Sequence, residues 1–295
     1  METLENLRSK TEGATDLRSV VSAMKAMAAS NIAAYETAVS ALSEYYHTVA
    51  LGIIAYFKAE KVVAIQENKK AGKDSQDLIC AIVFGSDQGL VGQFNDTMAK
   101  FVSASLKVLP GKKIIWAIGE RVQLLLSDEG FLIPKWYRVP TDINAVTPLV
   151  TEILSRSQET RQKENVTAFY IFHHQPKQGS GYTPIMQKFL PLDEKWKNTL
   201  QEIEWPTKLL PQIAGAVKPT LAALINGYLF TSLFKACAES LASENASRLD
   251  AMQRAEKNIS DLLDDLGKKY HRLRQGSIDE ELFDVVSGFE ALNSK

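Results

Sequence analysis

The sequence predicts two long terminal helices wound into an antiparallel left-handed coiled coil, with an α/β domain inserted between them. Three observations predict it. Apolar or small residues recur near both ends at alternating steps of three and four, the heptad signature rather than the wider stripe of a helix on a core. A sustained 3.5-residue repeat selects the left-handed supercoil. Between the ends, short apolar runs alternate with helical stretches, which is the pattern of a mostly parallel sheet. The expected segments are an N-terminal helix at 1–57, a linker at 58–76, an α/β domain at 77–205 and a C-terminal helix at 206–295.

The N-terminal helix has Thr3 as a cap and a seam through Leu17, Val21, Met24, Ala28, Asn31, Tyr35, Ala38, Leu42, Tyr45, Val49 and Tyr56. At the α-helical rise it would span ~80 Å. Residues 58–76 lose the period and gain charge, as a linker does. Leu78–Phe84 is short and continuously apolar, as expected of a strand covered on both faces. A glycine-rich turn at 85–92 follows it, then a helix to about Leu106, a second strand at Ile114–Ile118 and a helix from Gly119 through Leu126. A further helix lies within Thr141–Arg161, with Thr141 or Asp142 as its cap. Asn165–Phe172 and Thr183–Leu190 read as strands around a turn at Gly179–Gly181. The C-terminal helix carries the seam Ala242, Asn245, Leu249, Met252, Ile259, Leu263, Leu266, Tyr270 and Leu273, and would reach ~110 Å as a straight run. Gly276 is a local stop signal, but one glycine costs a helix only ~1 kcal/mol, so a continuous helix is expected there.

Composition narrows the function classes. A net charge of −1 argues against a general electrostatic binder of nucleic acid or membrane. Cys80 and Cys237 provide no disulfide framework and read as buried thiols of a reducing compartment. No secretory or transit leader is expected, and no run nears the ~20 apolar residues that cross a bilayer, so membrane association would go through another protein.

Candidate chemistry is sparse. Gly85, Gly89 and Gly92 follow a strand and precede a helix, where nucleotide-binding sheets hold phosphate. Their G-x-x-x-G-x-x-G spacing is neither the dinucleotide fingerprint nor the P-loop, so turn glycines are the favoured reading. His173 and His174 are adjacent on a strand and point to opposite faces, which does not suit a metal site. No catalytic constellation, cofactor site or metal site is expected. The cluster Lys268, Lys269, His271, Arg272 and Arg274 reads as a solvated helix face, with an acidic partner loop as the alternative.

Ser86-Asp87-Gln88-Gly89-Leu90-Val91-Gly92-Gln93-Phe94-Asn95 resembles the S-D-R-G-L-C-G-x-F-N motif of the gamma subunit of F-type ATP synthases. Met24 followed by Ala28-Ala29-Ser30 is similar to that family's K-A-M-x-M-V-A-A-S-K segment. Glu239–Arg248, Ala251, Met252, Asn258, Arg274, Gln275, Ile278, Glu281 and Leu282 resemble its C-terminal helix. The resemblance implies a Rossmann-like central domain and a non-catalytic rotor subunit. Its partners would be the alpha and beta subunits of the catalytic hexamer, the epsilon subunit and the membrane c-ring, on the cytoplasmic face of a bacterial inner membrane. By position, Met24, Arg274 and Gln275 correspond to residues that touch beta loops, while the apolar end with Leu282, Val286 and Phe289 would turn in the hexamer's sleeve. Ser86, Asp87, Gly89, Gly92, Phe94 and Asn95 make up the glycine-turn motif, read as structural. The chain departs from the family at Asn31–Tyr35, which lacks the usual basic stretch, at Gln88 in place of Arg and at Asp279 in place of Thr. Two other readings are a stand-alone coiled-coil scaffold of this fold and a nucleotide-binding α/β enzyme using Gly85–Gly92.

Overall fold

The computed structural model describes residues 3–59, 77–177, 181–207, 209 and 216–293. The linker expected up to residue 76 lies from residue 60 onward outside the described residues, as does the tip of the turn at Gly179.

Helix α1 covers Leu4–Ala59, two residues past its expected end. Thr3 caps it, with the Asn6 amide donating to Thr3 Oγ1 at 3.3 Å. The elements then run β1 (Leu78–Phe84), α2 (Phe94–Val108), β2 (Lys112–Ile118), α3 (Glu120–Asp128), β3 (Leu132–Tyr137), a 3₁₀ turn (Ile143–Ala145), α4 (Val146–Lys163), β4 (Val166–Pro176), β5 (Tyr182–Leu190), α5 (Glu194–Gln201) and α6 (Val217–Asn293). Asp142 is the cap after 141: its Oδ1 accepts from the amides of Asn144 and Ala145. Helix α6 is 77 residues long and passes through Gly276 unbroken. Pro219 falls in its first turn, where a missing N–H breaks no helical bond.

Two elements were not expected from the sequence. Strand β3 lies at the sheet edge, alternates exposed and half-buried residues and contains Pro134. An edge position tolerates proline, and half exposure removes the apolar run that marked the other strands. Helix α5 is a short segment started by Asp193, whose Oδ1 accepts from the Trp196 amide at 3.0 Å.

The chain forms two compact units, Met1–Ala28 with Arg248–Lys295 and Ala29–Ser247. In the first, α1 and α6 residues are buried at intervals of seven or fourteen: Leu7, Ala14 and Ala28 on one, Met252 and Leu266 on the other. Lys25 Nζ donates to Glu256 Oε2 at 2.5 Å. Leu17 and Leu273, expected on the seam, are 59% and 38% exposed. Residues 15–20 of α1 are all exposed, so Leu17 stands outside the contact, which runs through half-buried Thr11, Val21, Met24 and Lys25.

The second unit is built on a five-stranded sheet of order β3-β2-β1-β4-β5. The first four strands are parallel, and β5 returns antiparallel to β4. Helices α2 and α3 cover one face, where Ala81, Val83, Met98, Val102, Ile115, Val122 and Phe172 pack. The other face packs Cys80, Ile82, Phe84, Ile114 and Trp116 against α4 and against residues of α1 (Val49, Ala50, Ile53) and α6 (Leu229, Leu233, Cys237, Leu241). Burial on both sides is why β1 and β2 lack alternation. Asn31 faces Asn245, and the Tyr46 ring stands 5.4 Å from that of Tyr228, so α1 and α6 run antiparallel here. Tyr46, not the expected Tyr45, takes the seam, leaving Tyr45 51% exposed. One 18-residue window of α6 has a mean hydropathy of 1.4, although polar residues interrupt the apolar ones along it. Half of it is buried, consistent with its role in the sheet core.

Candidate functional site

The strand order places a topological switch point between β1 and β4, because β1 connects onward over one face and β4 is reached over the other. In doubly wound sheets the crevice beyond the carboxyl ends of the strands at such a point is where ligands bind. The glycine turn leaves β1 here. Ser86 is fully buried; its amide donates to Asn95 Oδ1 at 2.9 Å, and Asn95 Nδ2 donates to Ser86 Oγ at 2.8 Å. Ser86 Oγ donates in turn to the Gln88 carbonyl at 2.8 Å. Asp87 accepts from two amides, Glu120 at 2.9 Å and Val139 at 2.9 Å. Its carboxylate therefore sits at the start of α3, where it accepts from one of the free amides of that helix end. Leu90 and Gly92 have φ of 62° and 55°, the left-handed conformations that close the turn. Gly89 leaves Arg121 Nη2 3.8 Å from where a Cβ would stand.

The crevice is filled by the chain itself. Phe94 is fully buried with its ring centroid 4.2 Å from that of His174 and 5.4 Å from that of Tyr182. His174 is buried, neither ring nitrogen meets a hydrogen-bond partner, and burial, aided by His173, lowers its pKa to about 3. It behaves as a neutral aromatic filler. His173 points the other way and meets α6, its Nε2 lying 2.9 Å from Glu239 Oε2. The two histidines thus go to separate neighbours, and among the described residues no three His, Cys, Asp or Glu side chains converge as a metal site. From α6, Ser243 Oγ donates to the His174 carbonyl at 3.3 Å, and Ser247 Oγ donates to the Val91 carbonyl at 2.6 Å. Tyr182 Oη is 3.2 Å from Ser247 Oγ. No sequence pattern announced these contacts, although Glu239, Ser243 and Ser247 stand at steps of four.

The other candidate residues lie on the helices of the first unit. Met24 is half-buried; Arg274 and Gln275 are exposed. Helix α1 begins at Leu4, and with Lys25 opposite Glu256 an antiparallel partner runs out near residue 277 of α6. Beyond it Leu282, Val286 and Phe289 are 58%, 52% and 65% exposed, with Phe283 and Val285 more exposed still. Met24, Arg274, Gln275, Leu282, Val286 and Phe289 belong to one compact unit and the glycine turn to the other.

Residues 3–292 match a family model described as ATP synthase. The ATP synthase gamma chain of Paramagnetospirillum magneticum is 27% identical over 99% of this chain and 100% of its own length. That of Lachnoclostridium phytofermentans is 29% identical over 76% of each. Among solved structures, a chain of the Euglena gracilis mitochondrial ATP synthase, resolved with OSCP, F1 and c-ring, superposes with a TM-score of 0.63 at 15% identity, covering 99% of this chain and 95% of that one. A chain of the Tetrahymena thermophila mitochondrial ATP synthase central stalk and c-ring gives 0.55 at 19% identity, covering 80% and 99%. At such identities the structural likeness bears on the fold, and neither comparison favours a free-standing scaffold or a nucleotide-binding enzyme. With paired terminal helices, an inserted α/β domain and a match along nearly its whole length, the chain belongs to the ATP synthase family, as a non-catalytic subunit of the gamma-chain type.

Proposed function

We propose that this chain is the central-stalk rotor of an F-type ATP synthase, coupling ion flow through a membrane ring to the conformational cycle of the beta catalytic sites. The observation that carries the reading is the end of α6, which continues past α1 with Leu282, Phe283, Val285, Val286 and Phe289 exposed. Soluble proteins seldom leave such a run uncovered without a partner. A sleeve formed by alternating alpha and beta subunits would cover it, and because apolar contacts are non-directional they would let the end turn with little angular preference. Met24, Arg274 and Gln275 would meet loops of beta along the shaft, Arg274 through its fixed fork of donors. The α/β domain would stand beside the epsilon subunit on the c-ring, so the chain belongs to a membrane-associated complex. Its position would be peripheral, on the cytoplasmic face of a bacterial inner membrane, in keeping with its bacterial relatives.

The test is deletion of residues 277–295 in a complex assembled with alpha and beta subunits. The truncated chain should still co-purify with both, because the paired part of the helices is intact, while ATP hydrolysis should fall at least tenfold. Full hydrolysis by the truncated complex would remove the mechanical role of the end. An intact chain that fails to co-purify with alpha and beta would remove the rotor reading itself.

A further inference from the structure

We propose that Glu239, Ser243 and Ser247 form a register key, the positioning residues that lock α6 axially and rotationally to the α/β domain. The proposal deepens the rotor reading, on which only its torque role rests, by naming where torque would pass between the two. The three residues stand at steps of four, one above another on one helix face. Each is buried and each meets a different feature at the switch-point crevice. Glu239 meets the His173 ring of β4, Ser243 the His174 carbonyl, and Ser247 both the Val91 carbonyl of the glycine turn and the Tyr182 hydroxyl of β5. Elsewhere α6 packs on the domain through Leu233, Ala236, Cys237 and Leu241, whose contacts are non-directional and would tolerate sliding or turning of the helix, with Ser240, Glu244 and Asn245 also buried along it. Hydrogen bonds do not: they weaken steeply as donor and acceptor separate or turn off axis. A rotation of the helix, or a shift of half a turn, about 2.7 Å, would break all of them together and leave buried polar groups without partners. The crevice that ligands fill in other doubly wound sheets here receives the chain's own helix.

The experiment places nitroxide labels on the full chain at Val108→Cys and Ala223→Cys. Both sites are exposed in the second unit, whereas the native Cys80 and Cys237 are buried. Pulsed electron–electron distance measurement should give one narrow distribution for the parent. In the Ser243→Ala/Ser247→Ala variant its width should at least double, or a second peak should appear about one turn away. Ser243→Thr/Ser247→Thr, which keeps both hydroxyls, should restore the parent distribution. A lower melting temperature without any change in width would mean the serines merely add stability, and would overturn the proposal. In assembled complexes, the Ala variant should keep ATP hydrolysis within twofold while protons pumped per ATP fall at least threefold. Equal pumping would overturn the torque role. A parent complex that hydrolyses ATP without pumping would overturn the rotor reading and leave the distance measurement, which needs no partner, to decide the key.

Discussion

His174 shows how tertiary setting rewrites a residue's chemistry. In sequence it is half of a His pair that invites a metal; in the fold it is a neutral ring between Phe94 and Tyr182, with its pKa lowered to about 3. A histidine whose folded pKa is depressed leaves the unfolded chain binding more protons. Its contribution is therefore fully present above pH 6.5, the ordinary value, and is lost as pH falls from there toward 3. The loss is on the order of 5 kcal/mol over that window. Urea titrations of the parent and His174→Phe across pH 4–7 should show a shallower acid loss in the variant, with stability at pH 7 preserved or raised by about 1 kcal/mol because two unpartnered nitrogens leave the core. Parallel acid slopes would refute this account. The glycine turn has its own residue-scale test. A Cβ on Gly85 would lie 2.4 Å from Val122 Cβ and 2.9 Å from Asn95 Oδ1, and one on Gly119, whose φ is 114°, would lie 2.8 Å from the Ser86 amide nitrogen. Gly85→Ala should cost about 1–3 kcal/mol by thermal denaturation, as overpacking does. The motif was legible as a motif, but its bonds were not, because Asn95, Glu120 and Val139 converge on it only through the fold.

At the scale of elements, the sequence showed most where one periodicity ran long. The strand Leu78–Phe84 was expected with its observed bounds, and the α6 seam Met252, Ile259 and Leu266 lies on the buried or half-buried face as expected. Strand β3 and helix α5 were missed since an exposed edge strand and an eight-residue helix are too short or too wet to imprint a pattern. Leu17 and Tyr45 were misplaced because heptad spacing leaves the side toward which the partner leans undetermined. Helix α6 carries a testable weakness at Gly276, which is helical and has no neighbouring atom within 4 Å of a built Cβ. Gly276→Ala should strengthen this end by about 1 kcal/mol, seen as slower amide exchange over residues 272–285. Unchanged exchange would mean that the helix end is limited by something other than backbone freedom.

For the whole molecule, the question is what a doubly wound sheet does when its ligand crevice is closed. Phe94, at the start of α2, packs on His174 and Tyr182, and Ser247 of α6 bonds to the glycine turn that leaves β1. Saturating magnesium–ATP or magnesium–ADP should therefore leave the melting temperature of the full chain unchanged, whereas ligand at 100 times its Kd would add about 2.7 kcal/mol. A clear upward shift would reopen the nucleotide-enzyme reading.

By itself the amino-acid order determined the two terminal helices and the parallel character of the sheet, because these rest on periods that local geometry imposes along one element, while the Ser86–Asn95 motif carried the resemblance to the family. Only the tertiary structure decided which side of each helix is covered, which histidine becomes a filler and which meets a carboxylate, and that the chain's own helix closes the crevice. Those outcomes depend on groups far apart in sequence, such as Ser247 and Val91, whose bond exists only once packing has brought them within 2.6 Å.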